Sequence, residues 1–328
     1  MKFDIPIVLF IFKRYKTVLQ IIEQIRKVSP AKIYLIGDAG RDEEEQNRVL
    51  QSRIEIEKAI DWDCEIIRNY AEYNRGVYEN IGKGAKWVFQ FEKRAIFLED
   101  DNLPEVSFFQ YCRELLNKYE SNERVLWING TNYLYYYPFK DGADYTFTQH
   151  LLPCGWASWS RKFLQYYDGN LNGLNDGQLM RNFKKSYSNK ALYNQQLHSI
   201  LLTKRKLLMG RKVSWDFQMC FSIRANELFG IAPKYNLIKN IGADLDSTHG
   251  GTSLKKTMTS RFCEIESHPI EVPLKAPQQV KVDTEYEKAI SKVILWPLKT
   301  RILYKIAACL KPLFGLDKYD SFSDIKSR

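Results

Sequence analysis

The stretch AIFLEDDNLPEVSFFQYC, residues 95–112, joins four apolar residues directly to the carboxylates Glu99, Asp100 and Asp101. A short apolar run is typical of a strand that is buried on both faces. After Pro104, apolar residues recur at helical spacing, which predicts a helix. The stretch therefore predicts a strand, an acidic turn (residues 99–101) and a helix in succession.

The same alternation of strand and helix runs through residues 6–128. Apolar runs predict strands at residues 6–12, 32–38, 64–67, 95–98 and 124–128, and helical periodicity predicts helices at residues 18–28, 43–60 and 76–91. This order predicts an α/β fold of the Rossmann type, in which helices flank an open, mostly parallel sheet. Ligands of such sheets bind outside the carboxyl ends of the strands, where the sequence places Arg14, Asp38 and the acidic turn.

Composition narrows the class of partner. The 328 residues carry a net charge of +10, which suits a phosphorylated small molecule, a membrane surface or a nucleic acid. The sequence shows no recognition helix, zinc finger or RNA-binding signature, so we expect no nucleic acid partner. Scattered cysteines without a CxxC pair are typical of reduced thiols, and we see neither a signal peptide nor a long apolar span. We therefore expect a cytoplasmic protein.

The acidic turn has two interpretations. Mg²⁺ and Mn²⁺ prefer carboxylate and phosphate oxygens, so Asp100 and Asp101 could hold a cation that also binds a diphosphate. Alternatively, Asp101 or Asn102 caps the helix after Pro104. The two interpretations are compatible.

Seven ordered motifs carry a resemblance to a known family. They are VLFIFKR, YLIGDAGR, NRGV, FLEDDNLPEVSFFQYC, GWASWSRKF, SWDFQ and NLIKNIGADLDSTHGG. Because of these motifs, the chain resembles bacterial glycosyltransferases of the GT-A fold, in the group called HlpA-like or nucleotide-diphospho-sugar transferases. It is more distantly similar to N-acetylglucosaminyltransferase I of the animal Golgi.

The resemblance implies a domain organisation. It covers most of residues 5–255 and implies a glycosyltransferase domain at residues 1–255. Within it, residues 1–132 would bind the nucleotide-sugar and residues 133–255 the acceptor. Residues 256–328 would form a C-terminal helical extension.

The resemblance also implies donor-binding residues. Phe12 and Arg14 would line the nucleotide pocket, and Asp38 would face the base or ribose. Asn74 and Arg75 would pass close to the nucleotide, where Arg75 could meet phosphate. A turn residue at position 38 and a plain loop at positions 74–75 are the structural alternatives.

The metal site follows from the same resemblance. Asp101 would hold Mn²⁺ or Mg²⁺, while Glu99 and Asp100 would support the ribose or sugar. His249 could reach the metal or the diphosphate when a loop closes.

Asp216 is the candidate catalytic base. Transfer of a sugar to a hydroxyl needs a group that takes the proton of the acceptor, and a carboxylate can do so. Asp216 lies between two aromatic residues that could partly desolvate it, and it matches an element in which the family's inverting enzymes carry the base. Ser214 or Asp216 could instead begin a helix over residues 217–225.

Glycine and tryptophan could form a wall for the sugar or the acceptor. Aromatic faces stack on sugars, and glycine allows the backbone to approach a ligand closely. Gly155, Trp156 and Trp159 could therefore line the sugar or acceptor site, and Trp215 could line it beside the candidate base. A structural corner filled by tryptophans is the alternative.

A basic segment, residues 288–311, lies outside the resemblance. It interleaves lysine and arginine with apolar residues and contains no acid, which favours an amphipathic helix in the plane of an anionic membrane. Contact with the inner face of the cytoplasmic membrane would follow. The alternative is a helix packed on the protein or on a second subunit.

The sequence therefore favours a metal-dependent, inverting glycosyltransferase. It would move a sugar from a nucleotide diphosphate donor, expected to be a UDP-sugar, to a glycan or lipid-linked acceptor during assembly of a surface polysaccharide or lipopolysaccharide. One alternative is a sugar-phosphate nucleotidyltransferase, although residues 12–18 lack the glycine typical of triphosphate-binding loops. The other is a non-enzymatic membrane-active or glycan-binding protein.

Overall fold

The computed structural model describes residues 2–243 and 261–315. An eight-stranded sheet and a two-stranded sheet form its centre. The strands are β1 (Ile7–Ile11), β2 (Lys32–Gly37), β3 (Glu65–Tyr70), β4 (Arg94–Glu99), β5 (Asn102–Pro104), β6 (Val125–Asn129), β7 (Tyr145–Thr148), β8 (Trp156–Trp159), β9 (Phe229–Pro233) and β10 (Ile238–Asn240).

The large sheet is open and mostly parallel. Its order is β3-β2-β1-β4-β8-β6-β9-β7. β3, β2, β1 and β4 pair in parallel, and β6 pairs in parallel with β9, whereas β8 and β7 run antiparallel to their neighbours. The predicted α/β class with a mostly parallel sheet is confirmed.

Helices cover both faces of the sheet. They are α1 (Tyr15–Arg26), α2 (Glu43–Ala59), α3 (Gly84–Val88), α4 (Val106–Lys118), α5 (Ser160–Tyr166), α6 (Gly177–Lys185), α7 (Lys190–Leu208), α8 (Asp216–Ala225), α9 (Thr284–Ile294) and α10 (Leu298–Leu310). A π-helical turn, Tyr78–Lys83, leads into α3. Within the described residues, no helix is both long and apolar enough to span a bilayer.

The central strands are apolar because both of their faces are buried. Along β1, Ile7, Leu9 and Ile11 join the core on one side of the sheet, and Val8 and Phe10 join the core on the other. Alternate residues of a strand point to opposite faces, so a continuous apolar run fills both cores.

The structure differs from the sequence-based elements in the second half of the chain. Residues 133–153 contain β7, and residues 155–160 contain β8 in the middle of the sheet, although the sequence predicted strands only within residues 6–128. The basic segment is not one helix: Pro297 separates α9 from α10. Proline lacks the N–H that an uninterrupted helix needs.

The C-terminal segment contributes to the core. Tyr286 and Ile290 of α9 are fully buried, and Asp283 N donates to the carbonyl of Phe147 in β7 at 2.9 Å. The helical extension therefore packs on the sheet, and the domain boundary at residue 255 stays a prediction.

Candidate functional site

The acidic turn lies where the strand order of the sheet reverses. From β1 the chain builds β2 and β3 on one side, and it then returns to place β4 on the other side of β1. Glu99, at the end of β4, lies in register with Phe10 of β1, and Arg14 follows β1 by three residues. A reversal of this kind opens a crevice at the carboxyl ends of the strands, where α/β proteins bind ligands.

Arg14 joins the two aspartates of the acidic turn. Its Nε donates to Asp100 Oδ2 at 3.3 Å, and its Nη2 donates to Asp101 Oδ2 at 3.1 Å and to Asp100 Oδ1. Burial by itself lowers the pKa of Arg14, but attraction and hydrogen bonds from Asp100, and then from Asp101, outweigh it and raise that pKa. Arg14 thus stays charged and draws the two carboxylates together.

Asn102 sets the shape of the acidic turn. Its side chain, in a residue only 1% exposed, donates to Asp101 Oδ1 at 2.6 Å and accepts from the backbone N–H groups of Glu99 at 3.3 Å and Gly155 at 2.8 Å. Helix α4 begins after Glu105 and has no side-chain cap. Asp101 and Asn102 therefore do not cap that helix. Asn102 instead holds the carboxylate of Asp101 in position, a role that its local sequence does not reveal.

Glu99 is half-buried beside like charges. Desolvation, followed by the charges of Asp101, Asp100 and Asp216, raises its pKa well above the ordinary value, and a hydrogen bond from Trp215 offsets only part of this rise. The carboxylates of Glu99, Asp100, Asp101 and Asp216 therefore repel one another at the end of β4. Such a site favours a cation or a polar ligand.

Asp216 lies at the start of α8, close enough for its charge to act on Glu99. Ser214 Oγ donates to its carboxylate. The N-cap position belongs to Trp215, which makes no side-chain cap bond, so Asp216 belongs to the first turn and is not the cap. Trp215, 2% exposed, connects α8 to β4 through its hydrogen bond to Glu99.

Asp38 organises the loops beyond β2 and β3. Its carboxylate accepts from the backbone N–H groups of Ala39 at 2.9 Å, Arg75 at 2.7 Å and Gly76 at 2.8 Å, and from Asn74 Nδ2 at 3.2 Å. A carboxylate has about four acceptor positions, so these four hydrogen bonds occupy the acceptor capacity of Asp38. Asp38 thus has the structural role of a turn residue, and its predicted contact with the base or ribose stays a prediction.

Asn74 and Arg75 lie at the same edge of the sheet. Asn74 accepts from Lys212, so the loop beyond β3 contacts the segment that leads to α8. The guanidinium of Arg75 donates to Asn69 Oδ1 at 3.2 Å and to Asn80 Oδ1 at 3.0 Å, and its Nε is buried without a protein partner. These hydrogen bonds connect the loop beyond β3 to β3 itself and to the π-helical turn.

Phe12 is half-buried on the short connection between β1 and α1, with the ammonium of Lys13 above its ring at 5.8 Å. It lies beside Arg14 at the edge where the acidic turn lies. This position suits the predicted contact with a nucleotide, which stays a prediction.

The predicted tryptophan wall lies in the core. Trp156, fully buried in β8, stacks between Phe97 at 3.9 Å and Trp127 at 4.1 Å, measured between ring centroids. Trp159 is 3% exposed and donates to the carbonyl of Leu116 at 3.0 Å. The structural alternative therefore describes both positions.

Gly155 is needed for packing against β10. Its φ is +62°, and a Cβ there would lie 2.5 Å from Ile238, so a larger residue would clash. The close approach that glycine permits is thus to the protein itself.

Another close approach occurs at the acidic turn. A Cβ on Gly242 would lie 2.3 Å from Asp101 Oδ2, and the backbone N–H of Ile241 donates to the carbonyl of Asp101 at 2.9 Å. The start of the motif at residues 236–251 therefore lies on the acidic turn. His249, predicted to reach the metal, lies outside the described residues.

A buried ionic network fixes the far end of α8. Arg224, 1% exposed, donates to Glu287 Oε2 of α9 at 3.3 Å and lies 3.0 Å from His150 Nδ1. Burial lowers the pKa of His150 to about 4. Burial alone would raise the pKa of Glu287, but His150 and Arg224 lower it. No local sequence pattern connects residues so far apart, and the sequence analysis missed them.

The acidic turn fits a divalent cation that is shared with a ligand. Within residues 2–243 and 261–315, no group of three or more His, Cys, Asp or Glu side chains could hold a metal by itself. Mg²⁺ and Mn²⁺ sites often use only one or two carboxylates and take phosphate oxygens and waters for the rest. The side chain of Asp101 is 20% exposed and that of Asp100 is 12% exposed, so Asp101 is the more accessible of the two, and a cation on its Oδ2 would replace the bond from Arg14.

Comparisons with known proteins give no family. No protein-family profile and no curated protein matches the sequence. One similar solved structure is that of UDP-glucose pyrophosphorylase complexed with UDP-glucose, with 8% identity, 72% of this chain and 93% of that chain covered, and a TM-score of 0.36. At this level the likeness assigns no activity to this chain.

Proposed function

We propose that this chain is a metal-dependent glycosyltransferase that uses a nucleotide diphosphate sugar as donor and a glycan or lipid-linked glycan as acceptor. The observation that carries the proposal is the position of the acidic turn. It lies beside Arg14 at the reversal of the strand order, with Asp216 of α8 close enough to act on the pKa of Glu99. The ordered motifs of the sequence support the donor class and a role in assembly of a surface polysaccharide or lipopolysaccharide.

Arg14 and the start of α1 would face the diphosphate. Helix α1 begins at the residue after Arg14, with no acidic residue in its first turn and no side-chain cap. The N-terminus of a helix carries free N–H groups and a partial positive charge, which favour phosphate. The guanidinium adds a full positive charge, which Asp100 and Asp101 stabilise against the effect of burial.

Asp101 would hold the metal together with the diphosphate. When bound, the cation would neutralise the charge that builds on the departing diphosphate. Asn102 and Arg14 restrict the carboxylate of Asp101 to one orientation before the cation binds.

Asp216 would accept the proton of the acceptor hydroxyl. The hydroxyl oxygen would then attack the anomeric carbon from the face opposite the leaving diphosphate, so the configuration of the sugar would invert. Ser214 fixes the carboxylate of Asp216, and Trp215 joins the start of α8 to β4 through Glu99, which would fix the distance between the base and the donor.

A donor and product screen tests the proposal. The full chain with Mn²⁺ is incubated with UDP-, GDP- and CDP-sugars, and release of the nucleoside diphosphate is measured with and without a glycan acceptor. We expect metal-dependent release from one donor class. Pyrophosphate release from UTP and a sugar phosphate, without any release from the nucleotide-sugars, would replace the proposal with a nucleotidyltransferase.

A further inference from the structure

Helix α10 turns its apolar side away from the protein. Leu298, Ile302, Ile306 and Leu310 recur every four residues, which places them on one stripe of the helix. The exposed fractions along this stripe and the turn that follows are high, namely Leu298 63%, Ile302 47%, Leu303 65%, Ile306 50%, Leu310 42% and Leu313 78%.

The opposite side of α10 faces the protein. Thr300, Arg301, Ala307 and Ala308 are half-buried, whereas none of the residues of α10 is fully buried. The tyrosine ring of Tyr304 connects the helix to Trp296 at 4.6 Å and to His198 of α7 at 5.7 Å, between ring centroids. A helix that packs on its own protein normally does so with its apolar side, so the orientation of α10 is reversed.

The positive charge around the apolar stripe favours an anionic lipid surface over a second copy of the chain as the partner of α10. Residues 288–316 contain no acid and carry the cations Lys288, Lys292, Lys299, Arg301, Lys305 and Lys311. A second copy of the chain would bring an equally basic surface against this one and be repelled. An anionic lipid surface attracts such cations and accepts the apolar stripe below its headgroups.

We propose that α10 and the turn after it, residues 298–314, bind in the plane of an anionic lipid bilayer. The 13 residues of α10 are fewer than the roughly 20 that a spanning helix needs, which fits a helix lying along the surface. Lys305 borders the stripe and Lys299 lies within its first turn. Both lysine side chains are long enough to reach the headgroups while the leucine and isoleucine side chains enter the acyl region. This inference does not rest on the proposed glycosyltransferase activity.

Flotation of the full chain with lipid vesicles tests the proposal. One vesicle set is phosphatidylcholine and the other contains about one third phosphatidylglycerol, at low and high salt. The apolar variant Ile302→Ser, Leu303→Ser, Ile306→Ser is matched by Ile54→Ser, Phe91→Ser, Leu164→Ser, which removes three exposed apolar side chains elsewhere. The charge variant Lys299→Gln, Lys305→Gln is matched by Lys58→Gln, Lys118→Gln.

We expect the parent to bind only the anionic vesicles, and the apolar variant to bind them at least about tenfold more weakly than its matched control. The charge variant should lose more binding at low salt than its matched control. Equal binding by the α10 variants and their controls would overturn the proposal. It would also be overturned if light scattering showed that the parent is a dimer and that the apolar variant is a monomer, because a second copy would then cover the stripe. Circular dichroism checks folding, and Leu303→Ser alone repeats the comparison if the triple variant is unfolded.

Discussion

At the end of β4, Glu99 is half-buried beside Asp100, Asp101 and Asp216, an arrangement that opposes folding. Local sequence could place Glu99 at the end of a strand because the apolar run stops there. It could not show that Asp216, more than a hundred positions away, approaches the same point. Residues that oppose folding in this way are typical of functional sites.

Removal of the charge of Glu99 should stabilise the metal-free protein. In Glu99→Gln the repulsion from the neighbouring aspartates disappears while the shape of the side chain is kept, so we expect a higher urea midpoint and a lower rate of sugar transfer. Glu44→Gln, on the exposed first turn of α2, should change the free energy of unfolding by less than about 0.5 kcal/mol. A midpoint in Glu99→Gln at or below that of the parent would contradict this view of the acidic turn.

Replacement of the candidate base should separate chemistry from binding. Asp216→Asn keeps the size and the hydrogen-bonding of the side chain but cannot take a proton at neutral pH. We expect the rate of transfer to fall by about 10²–10⁴-fold while the affinity for the nucleoside diphosphate stays within about twofold. Full activity in this variant would remove Asp216 from the role of base.

At the scale of elements, the sequence predicted those strands best whose position follows from their own composition. The apolar runs of β1, β2, β4 and β6 each bury both faces, and their composition is sufficient to identify them. β8 was missed because it is a four-residue strand of two tryptophans, alanine and serine that pairs between two distant strands. Its place in the sheet depends on tertiary contacts that no local pattern carries.

The contact between α8 and α9 leads to a prediction about stability. Glu287→Gln leaves Arg224 buried without a charged partner, so we expect the free energy of unfolding to fall by about 3–5 kcal/mol. Glu285→Gln is the control, because Glu285 on the same helix pairs with Lys288 at the surface, where solvent screens the pair and its loss should have a much smaller effect. Equal effects of the two substitutions in urea unfolding would show that the network does not hold α8.

At the scale of the whole molecule, the same network makes stability depend on pH. The folded state holds His150 neutral with a pKa of about 4, below the ordinary 6.5, so between these values the unfolded state binds more protons. The lowered pKa of Glu287 acts in the same direction at lower pH. Acidification should therefore favour unfolding.

We expect the free energy of unfolding to fall as the pH drops below about 6.5, by up to about 1.4 kcal/mol for each pH unit. Urea titrations at pH values between neutral and the region of pH 5 measure this slope, and His150→Gln should reduce it. The same slope in the parent and the variant would assign the pH dependence to other groups.

Metal-dependent nucleotide binding is the property to measure first, because the proposed donor site consists of the acidic turn, Arg14 and Asp216. Calorimetric titration of UDP, GDP and CDP, each with and without Mn²⁺, is performed on the parent and on Asp101→Asn. We predict that one nucleotide binds the parent only when Mn²⁺ is present, and that Asp101→Asn weakens this binding at least about tenfold. Equal binding by parent and variant, or no binding of any of the three with metal, would contradict the assignment of the acidic turn as a donor site.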